Sequence, residues 1–401
     1  MSKKTTLNVI LLALYALFAG GIFIAAIAVP ALRPIAYAPL RELLLPEPQP
    51  VVVDMVISTE KRAWLDEMIE AFNREDIRVD GRPIEVEAIY MGSREMYLDV
   101  LDGDLQPVVM SPASSLQVSL LETLSTTRYG QPLVVADNRS QCRPTVTSPL
   151  VIVGWRERAD ALWGGDYNGD LWEELAIAVT NEEGWAAYGQ PEWGFVKFNH
   201  TNPERSNSGL HTILLMTYAY HNKTTGLSNE DILSDEGYRE WFTGFEGAIT
   251  EFGDSTGSYM RDIISFGPSQ YDFVAVYESL AIEFADAAVG RYGELAVFYP
   301  PATLLSDHPF CVIDGEWVTP QEADAANTFI DYILTQEALE LAMFDYGFRP
   351  ADPAVPVNQA GSPFLTYQEN GIRLDLPPQV QVPPGDVLDT LIQFWSRQIG
   401  G

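Results

Sequence analysis

Four clusters of hydroxyl and amide side chains stand where helices are expected to begin: Ser58-Thr59, Ser111 with Ser114 and Ser115, Arg205-Ser206-Asn207-Ser208-Gly209, and Ser255-Thr256-Gly257-Ser258. The first turn of a helix leaves backbone N–H groups without partners, and the aligned peptide dipoles make that end partly positive. Hydroxyls add neutral donors, so several such starts facing one cleft would enclose an oxyanion or a carboxylate. Each cluster is also an ordinary N-cap, the usual role of Ser, Thr and Asn. Only convergence would make a site. The cluster at 205–209 is the richest, and Leu210, Ile213, Leu214, Thr217 and Tyr218 follow it at helical spacing.

Other chemistries have less behind them. Asp166-x-Asn168-x-Asp170 has the look of a calcium loop, but Leu171 stands where Gly is needed and no Glu closes the loop. A solvated turn is expected there. Asp254-Ser255-Thr256-Gly257-Ser258 matches a DxTxS metal motif in letters only, since no apolar strand precedes it. Asp307-His308 supplies half of an acid–base pair. Trp155, Trp163, Trp172 and Trp193 could stack on sugars, with core packing the expected role for most. His200, His211, His221 and His308 form no HExxH, and no GxSxG, P-loop or GxGxxG is present. The chain is expected to be non-catalytic, without metal or cofactor.

The elements that must position these clusters read as α/β layers. Residues 51–57 form a β-branched run interrupted by Asp54, and Ser58-Thr59 then opens a helix with Trp64, Leu65, Met68, Ile69 and Phe72 on one face. Residues 105–110 read as a strand. Ser111 follows as N-cap with Pro112 at the first helical position, and Leu116, Leu120 and Leu121 give the apolar face. Thr319-Pro320-Gln321-Glu322 combines a cap, a first-position Pro and a capping-box Glu ahead of Phe329, Ile330, Ile333 and Leu334. Extended stretches at 143–155 and 295–313 are expected to link two lobes. The tail from Ala351 is Pro-rich and ends in an amphipathic stretch at 387–399.

Composition bounds the setting. The chain has 401 residues, 47% hydrophobic and 20% charged, which excludes a mostly disordered protein. Lys and Arg number 24 against 56 Asp and Glu, a net charge of −32. So acidic a surface repels phosphate backbones and excludes nucleic acid as a partner. At the N-terminus, Lys3 and Lys4 precede an apolar run whose stretch 9–29 is long enough to cross a bilayer as a helix. A signal anchor with N-in, C-out orientation at the cell membrane is expected, leaving the body extracellular. Arg33 and Arg41 beyond the run leave the positive-inside count nearly balanced. Ala26-Ile27-Ala28 also offers a small-x-small site, so cleavage after Ala28 is the competing expectation. Prolines 30, 34, 39, 46, 48 and 50 then read as a stiff stalk.

The segments ISTEKRAWLDEMIEAFN (57–73), SPASSL (111–116), TSPLVIVGW (147–155), EGWAAYGQPEWGFVKFNHTNPERSNSGL (183–210), DFVAVYESLA (272–281) and FYPPATLLSDHPFCVIDGEWVT (298–319) resemble bacterial extracellular solute-binding proteins. The closer likeness is to the type 2, molybdate/sulfate-binder-like branch often found with von Willebrand factor A domains, and it spans residues 51 to 350 in order. The resemblance implies a two-lobed periplasmic-binding-protein type 2 fold behind the N-terminal transmembrane helix. The segments would be an anchor (1–30), stalk (31–50), lobe 1 (51–146), lobe 2 (147–298), return to lobe 1 (299–350) and C-terminal extension (351–401). It also implies a small ligand, an oxyanion or carboxylate, delivered to an ABC transporter permease or a sensor. The second reading is a scaffold for a von Willebrand-type or membrane partner. Carried over by position, the ligand-binding residues would be Ser58, Thr59, Ser111, Ser114, Ser115, Ser206, Asn207 and Ser208, with Tyr277 and Glu278 at a further edge. Glu278 is awkward there, because a carboxylate repels an anion unless protonated or paired. The lipid-anchor cysteine common in such proteins is absent, and no von Willebrand module follows residue 350. Cys142 and Cys311 could bond if the two linking stretches run antiparallel side by side.

Overall fold

The computed structural model describes residues 3–29, 32, 48–164, 167 and 169–400. The expected stalk lies almost wholly outside the described residues, as do Asp166 and Asn168. The first helix runs Lys3–Ala28. Its stretch Ile10–Ala28 is apolar enough to cross a membrane, with a mean hydropathy of 2.5, and only 6% of it is buried against the rest of the chain.

The body holds two six-stranded sheets. The first has the order β2-β3-β1-β4-β11-β5, with β1 at Val51–Ser58, β2 at Arg78–Val79, β3 at Arg82–Met91, β4 at Val109–Ser111, β5 at Cys142–Pro144 and β11 at Pro309–Val312. β1 lies between two parallel neighbours, β3 and β4. Its near-continuous apolar run reflects burial on both faces. The Arg62–Arg74 helix covers one face through Trp64, Leu65, Met68 and Phe72, as the helical spacing predicts. The Pro320–Ile333 helix joins it there, opened by the expected Thr319–Glu322 capping box. Each buried Val, Leu or Ile side chain in such a layer contributes on the order of 2 kcal/mol of burial energy, most of it offset by chain entropy.

The second sheet is built around β6 (Val146–Trp155), ten residues of which all but Thr147 are buried. Antiparallel to it run β8 (Phe273–Tyr277), β9 (Leu295–Phe298), β10 (Leu305–Ser306) and β12 (Arg349–Pro350), and β7 (Phe198–Asn199) pairs parallel with β8. The chain crosses from the first lobe to the second at Thr145, between β5 and β6. It returns at Asp307 and His308, between β10 and β11. Thr145 Oγ1 donates to His308 O at 2.9 Å and stitches the two crossings together. The return falls later than the expected 299, because Leu305 and Ser306 still pair with Pro149 and Ser148 of β6. A third crossing, β12, carries the chain back to the second lobe. The extension packs on that lobe, where Arg156 Nη2 donates to Glu369 O (2.8 Å) and Trp395 Nε1 to Glu246 Oε2 (2.6 Å).

Cys142 and Cys311 are joined in a disulfide. They are register partners on the antiparallel strands β5 and β11, beside the point where the chain leaves and re-enters the first lobe. Of the four tryptophans, Trp155 and Trp172 are buried in the core. Trp193 packs edge-on against Trp185 beneath the Arg158 guanidinium.

Candidate functional site

The helix starts meet between the lobes. Lobe 1 brings the end of β1, where Thr59–Lys61 forms a 3-10 turn before the longer helix, and the end of β4. The helix after β4 starts later than expected. Ser111 ends the strand, and Ser114 is the N-cap of Ser115–Tyr129, its Oγ accepting from Leu116 N at 3.2 Å. The cause is Ala113, whose N–H is held by Ser93 Oγ (3.0 Å) and whose carbonyl accepts from His308 N (3.0 Å). Those bonds pin residues 112–113 as a turn.

Lobe 2 brings the starts of the Asn207–Tyr220 and Thr256–Phe266 helices. At neither start does the cap hydroxyl, Ser206 or Ser255, accept from a backbone N–H of its own helix. Ser208 Oγ instead sits 2.6 Å from Thr201 Oγ1, 2.7 Å from Thr256 Oγ1 and 3.3 Å from Ser206 Oγ. A Cβ at Gly209 would lie 2.1 Å from Thr201 O, so the close seating of this start requires glycine.

Asn207 is the hub. Its Oδ1 accepts from Gln117 Nε2 of lobe 1 at 2.8 Å. Its Nδ2 faces Tyr277 Oη at 2.9 Å, His211 Nε2 at 3.1 Å and Ser306 Oγ at 3.4 Å. Since Nδ2 donates, His211 Nε2 accepts and the imidazole proton sits on Nδ1. Burial, with His308 nearby, pulls the His211 pKa down to about 3, so the ring is neutral. His211 Nδ1 and Gln117 Oε1, both in fully buried side chains, have no hydrogen-bond partner among the described residues. An orphaned donor and an orphaned acceptor beside one helix start are costly unless something else satisfies them.

The charges nearby are already committed. The Lys61 ammonium donates to Ser111 Oγ (2.7 Å), Ser111 O (2.8 Å) and Pro112 O (3.0 Å). Burial draws its pKa down to about 7, against the opposing pull of Glu60 and Asp307. Burial pushes Glu60 up, but His308, Lys61 and a hydrogen bond from Ser58 Oγ together hold it below the ordinary carboxylate value. His308 Nδ1 lies 3.2 Å from Glu60 Oε1, and burial pulls the His308 pKa below its ordinary value. Asp307 Oδ1 accepts from Ser115 N at 2.7 Å, so that helix start already holds an internal carboxylate. Among the described residues at the cleft, any anion would therefore meet N–H groups and hydroxyls rather than a free cation.

Of the expected site residues, Thr59, Ser206, Asn207, Ser208 and Tyr277 share this hydrogen-bonded zone. Ser58 and Ser111 reach it through Glu60 and Lys61, while Ser114 and Ser115 are taken up by capping. Glu278 stands apart. Its carboxylate receives Arg349 Nε (2.6 Å) and Nη2 (2.8 Å) and the Tyr299 hydroxyl, so it faces the base of β12 in a buried ion pair. Glu60, Lys61, Gln117, His211 and Ser306 are members that the sequence does not single out, and His308 stands out there only as half of an acid–base pair. Gln117 and His211 lie one helical turn beyond the starts at Ser114 and Asn207, and that spacing was the available signal.

Two α/β lobes joined by crossing strands, with helix starts from both lobes meeting between them, define a bilobed solute-binding protein. The profile of the bacterial extracellular solute-binding protein family matches residues 53–349, and the chain belongs to that family. Among solved structures it is similar to the sulfate-binding protein SubI from Mycobacterium tuberculosis H37Rv (TM-score 0.52, 16% identity, 87% of this chain and 96% of that one). It is also similar to the periplasmic binding protein AfuA from Actinobacillus pleuropneumoniae with fructose-6-phosphate (0.56, 13%, 87% and 99%). A third similar structure is iron-bound HitA from Pseudomonas aeruginosa (0.54, 13%, 88% and 100%). At these identities the likeness speaks for the fold. Comparison with curated protein sequences returned no match.

Proposed function

We propose that the chain is a membrane-tethered, extracytoplasmic solute-binding protein that captures a small anionic solute, an oxyanion or carboxylate, at the Asn207 helix start. The observation that carries this reading is the buried hub at Asn207 with its two orphans, His211 Nδ1 and Gln117 Oε1. The N–H groups at the helix start and the His211 N–H suit acceptor oxygens on the solute. Gln117 Oε1 suits a single donor on the same molecule, as in a protonated oxyanion or a hydroxycarboxylate. Tyr277 supports the hub as a neutral phenol, its pKa raised by burial.

Lobe closure by hinge motion would present the bound solute to an ABC-type permease or a sensor. The apolar Ile10–Ala28 helix would hold the body outside the cell, N-in and C-out. No catalytic step, metal or cofactor belongs to this reading. The test is a thermal-shift panel of oxyanions, carboxylates and sugars on the full chain in detergent. A rise in melting temperature with one anionic class supports the proposal; no shift with any class counts against it.

One observation favours a second reading, a non-catalytic scaffold kept from the molybdate/sulfate-binder-like branch for a von Willebrand-type or membrane partner. The lobes already touch through Gln117 and Asn207, and through Thr59 and Gly257, as a rigid scaffold would. Capture of a protein partner by the full chain, unaffected by any solute in the panel, would select it.

A further inference from the structure

Each lobe caps a helix of the other. In lobe 1 the Ser93–Asp102 helix follows Gly92, which offers no side chain to cap it. The carbonyl of Arg205, from lobe 2, takes that place and accepts from Arg94 N at 3.1 Å and Glu95 N at 3.3 Å. In lobe 2 the Thr256–Phe266 helix gets no cap bond from its own Ser255. Thr59 Oγ1, from lobe 1, accepts from Gly257 N at 3.1 Å. Both helix ends thus satisfy otherwise unpaired N–H groups across the cleft.

The approach at both contacts depends on glycine for space. A Cβ at Gly92 would stand 2.4 Å from Arg205 O, and one at Gly257 would stand 2.5 Å from Thr59 O. Conformation does not demand glycine at Gly92, whose φ of −66° suits any residue, and Gly257 lies inside a helix without positive φ. The Arg205 side chain adds a clasp, pairing with Glu95 of lobe 1 (3.1 Å) and Asp254 of lobe 2 (2.6 Å).

We propose that Gly92, Arg205, Thr59 and Gly257 form a reciprocal capping latch that holds the two lobes shut through the chain's own groups, so that solute reaches the Asn207 start only when the latch opens. The part about solute entry rests on the reading of the Asn207 start given above; the latch itself does not. The latch lowers the fraction of molecules competent for entry, and apparent affinity falls with that fraction. Weakening the latch then speeds loading.

The test uses no solute, so its failure is separate from a failure of the binding reading. Spin labels are placed on the full chain in detergent at Ser119→Cys in lobe 1 and Glu240→Cys in lobe 2, both exposed positions. The native cysteines are bonded to each other, so these are the only free thiols. Pulsed electron spin resonance should give a single short interlobe distance in the otherwise native chain. Gly92→Ala and Gly257→Ala should shift the population to a longer distance. Thr59→Val, which keeps the shape and removes the acceptor, should lower the closed-to-open ratio about fivefold. Circular dichroism checks each fold, and Thr59→Val carries the test if a glycine variant misfolds. A long distance in the native chain, or an unchanged distance in every folded variant, would overturn the latch.

Discussion

His211 and His308 are fully buried and held neutral, so unfolding lets each take up a proton that the folded chain refuses. The folded pKa values lie below the ordinary 6.5. Stability is therefore complete above about pH 6.5 and falls as pH drops through that value toward the lowered ones. The expected slope below pH 6.5 is about 1.4 kcal/mol per pH unit for His211, with His308 adding in the same direction. Urea unfolding at pH 7.5 and 5.5 measures it, and His211→Asn should reduce the difference by about 1.4 kcal/mol. Glu60 acts in a separate window, since its lowered pKa adds stability that is lost only below about pH 4.5. The Glu278–Arg349 pair is the other costly residue-scale commitment. Arg349→Met would leave a carboxylate buried and uncompensated, with an expected loss of about 3–5 kcal/mol by urea unfolding. A loss under about 1 kcal/mol would mean the pair is not buried as described. At this scale the sequence was only partly readable. Hydroxyls at helix starts announce themselves by position, whereas Glu60 and Lys61 look like ordinary surface charges of a first turn. Only the packing of β4 and the His308 crossing against them makes them interior.

Elements were more legible because their signals are local. The Thr319–Glu322 box, the Trp64–Phe72 stripe and the apolar run of β1 each carry a period or a cap that decides the structure by itself. Where tertiary bonds override local preference, the local signal misleads. Pro112 looks like a first helical residue, but Ser93 and His308 hold its neighbour Ala113 in a turn. The third crossing at β12 had no local mark, being two residues long and defined only by pairing with β6. The disulfide belongs to this scale as well. It closes a loop of 169 residues between β5 and β11. Replacing both cysteines by serine should cost about 2–5 kcal/mol, read from urea unfolding of the oxidised chain and the variant. Non-reducing mass spectrometry should find the two peptides linked; two free thiols would contradict the bond.

The whole molecule is an acidic, two-lobed body behind an apolar N-terminal helix. Its net charge of −32 sets a repulsive long-range field for any anion, so short-range N–H and hydroxyl donors must supply the attraction. Added salt should therefore strengthen or leave unchanged the capture of an anion, in contrast to a site built on lysine and arginine. The tether is tested by expression in a bacterial host followed by an alkaline carbonate wash. The intact chain is expected to stay in the membrane, and a soluble form beginning at Val29 would show cleavage instead. The central claim, capture between the lobes at the Asn207 start, is tested most directly by isothermal titration of the full chain and Asn207→Ala with the panel's anions. The account predicts saturable binding by one anionic class and a loss of about tenfold or more in affinity for Asn207→Ala, as expected when a buried hydrogen-bonding hub is removed. Equal affinity in both chains, or no heat with any anion, would contradict it.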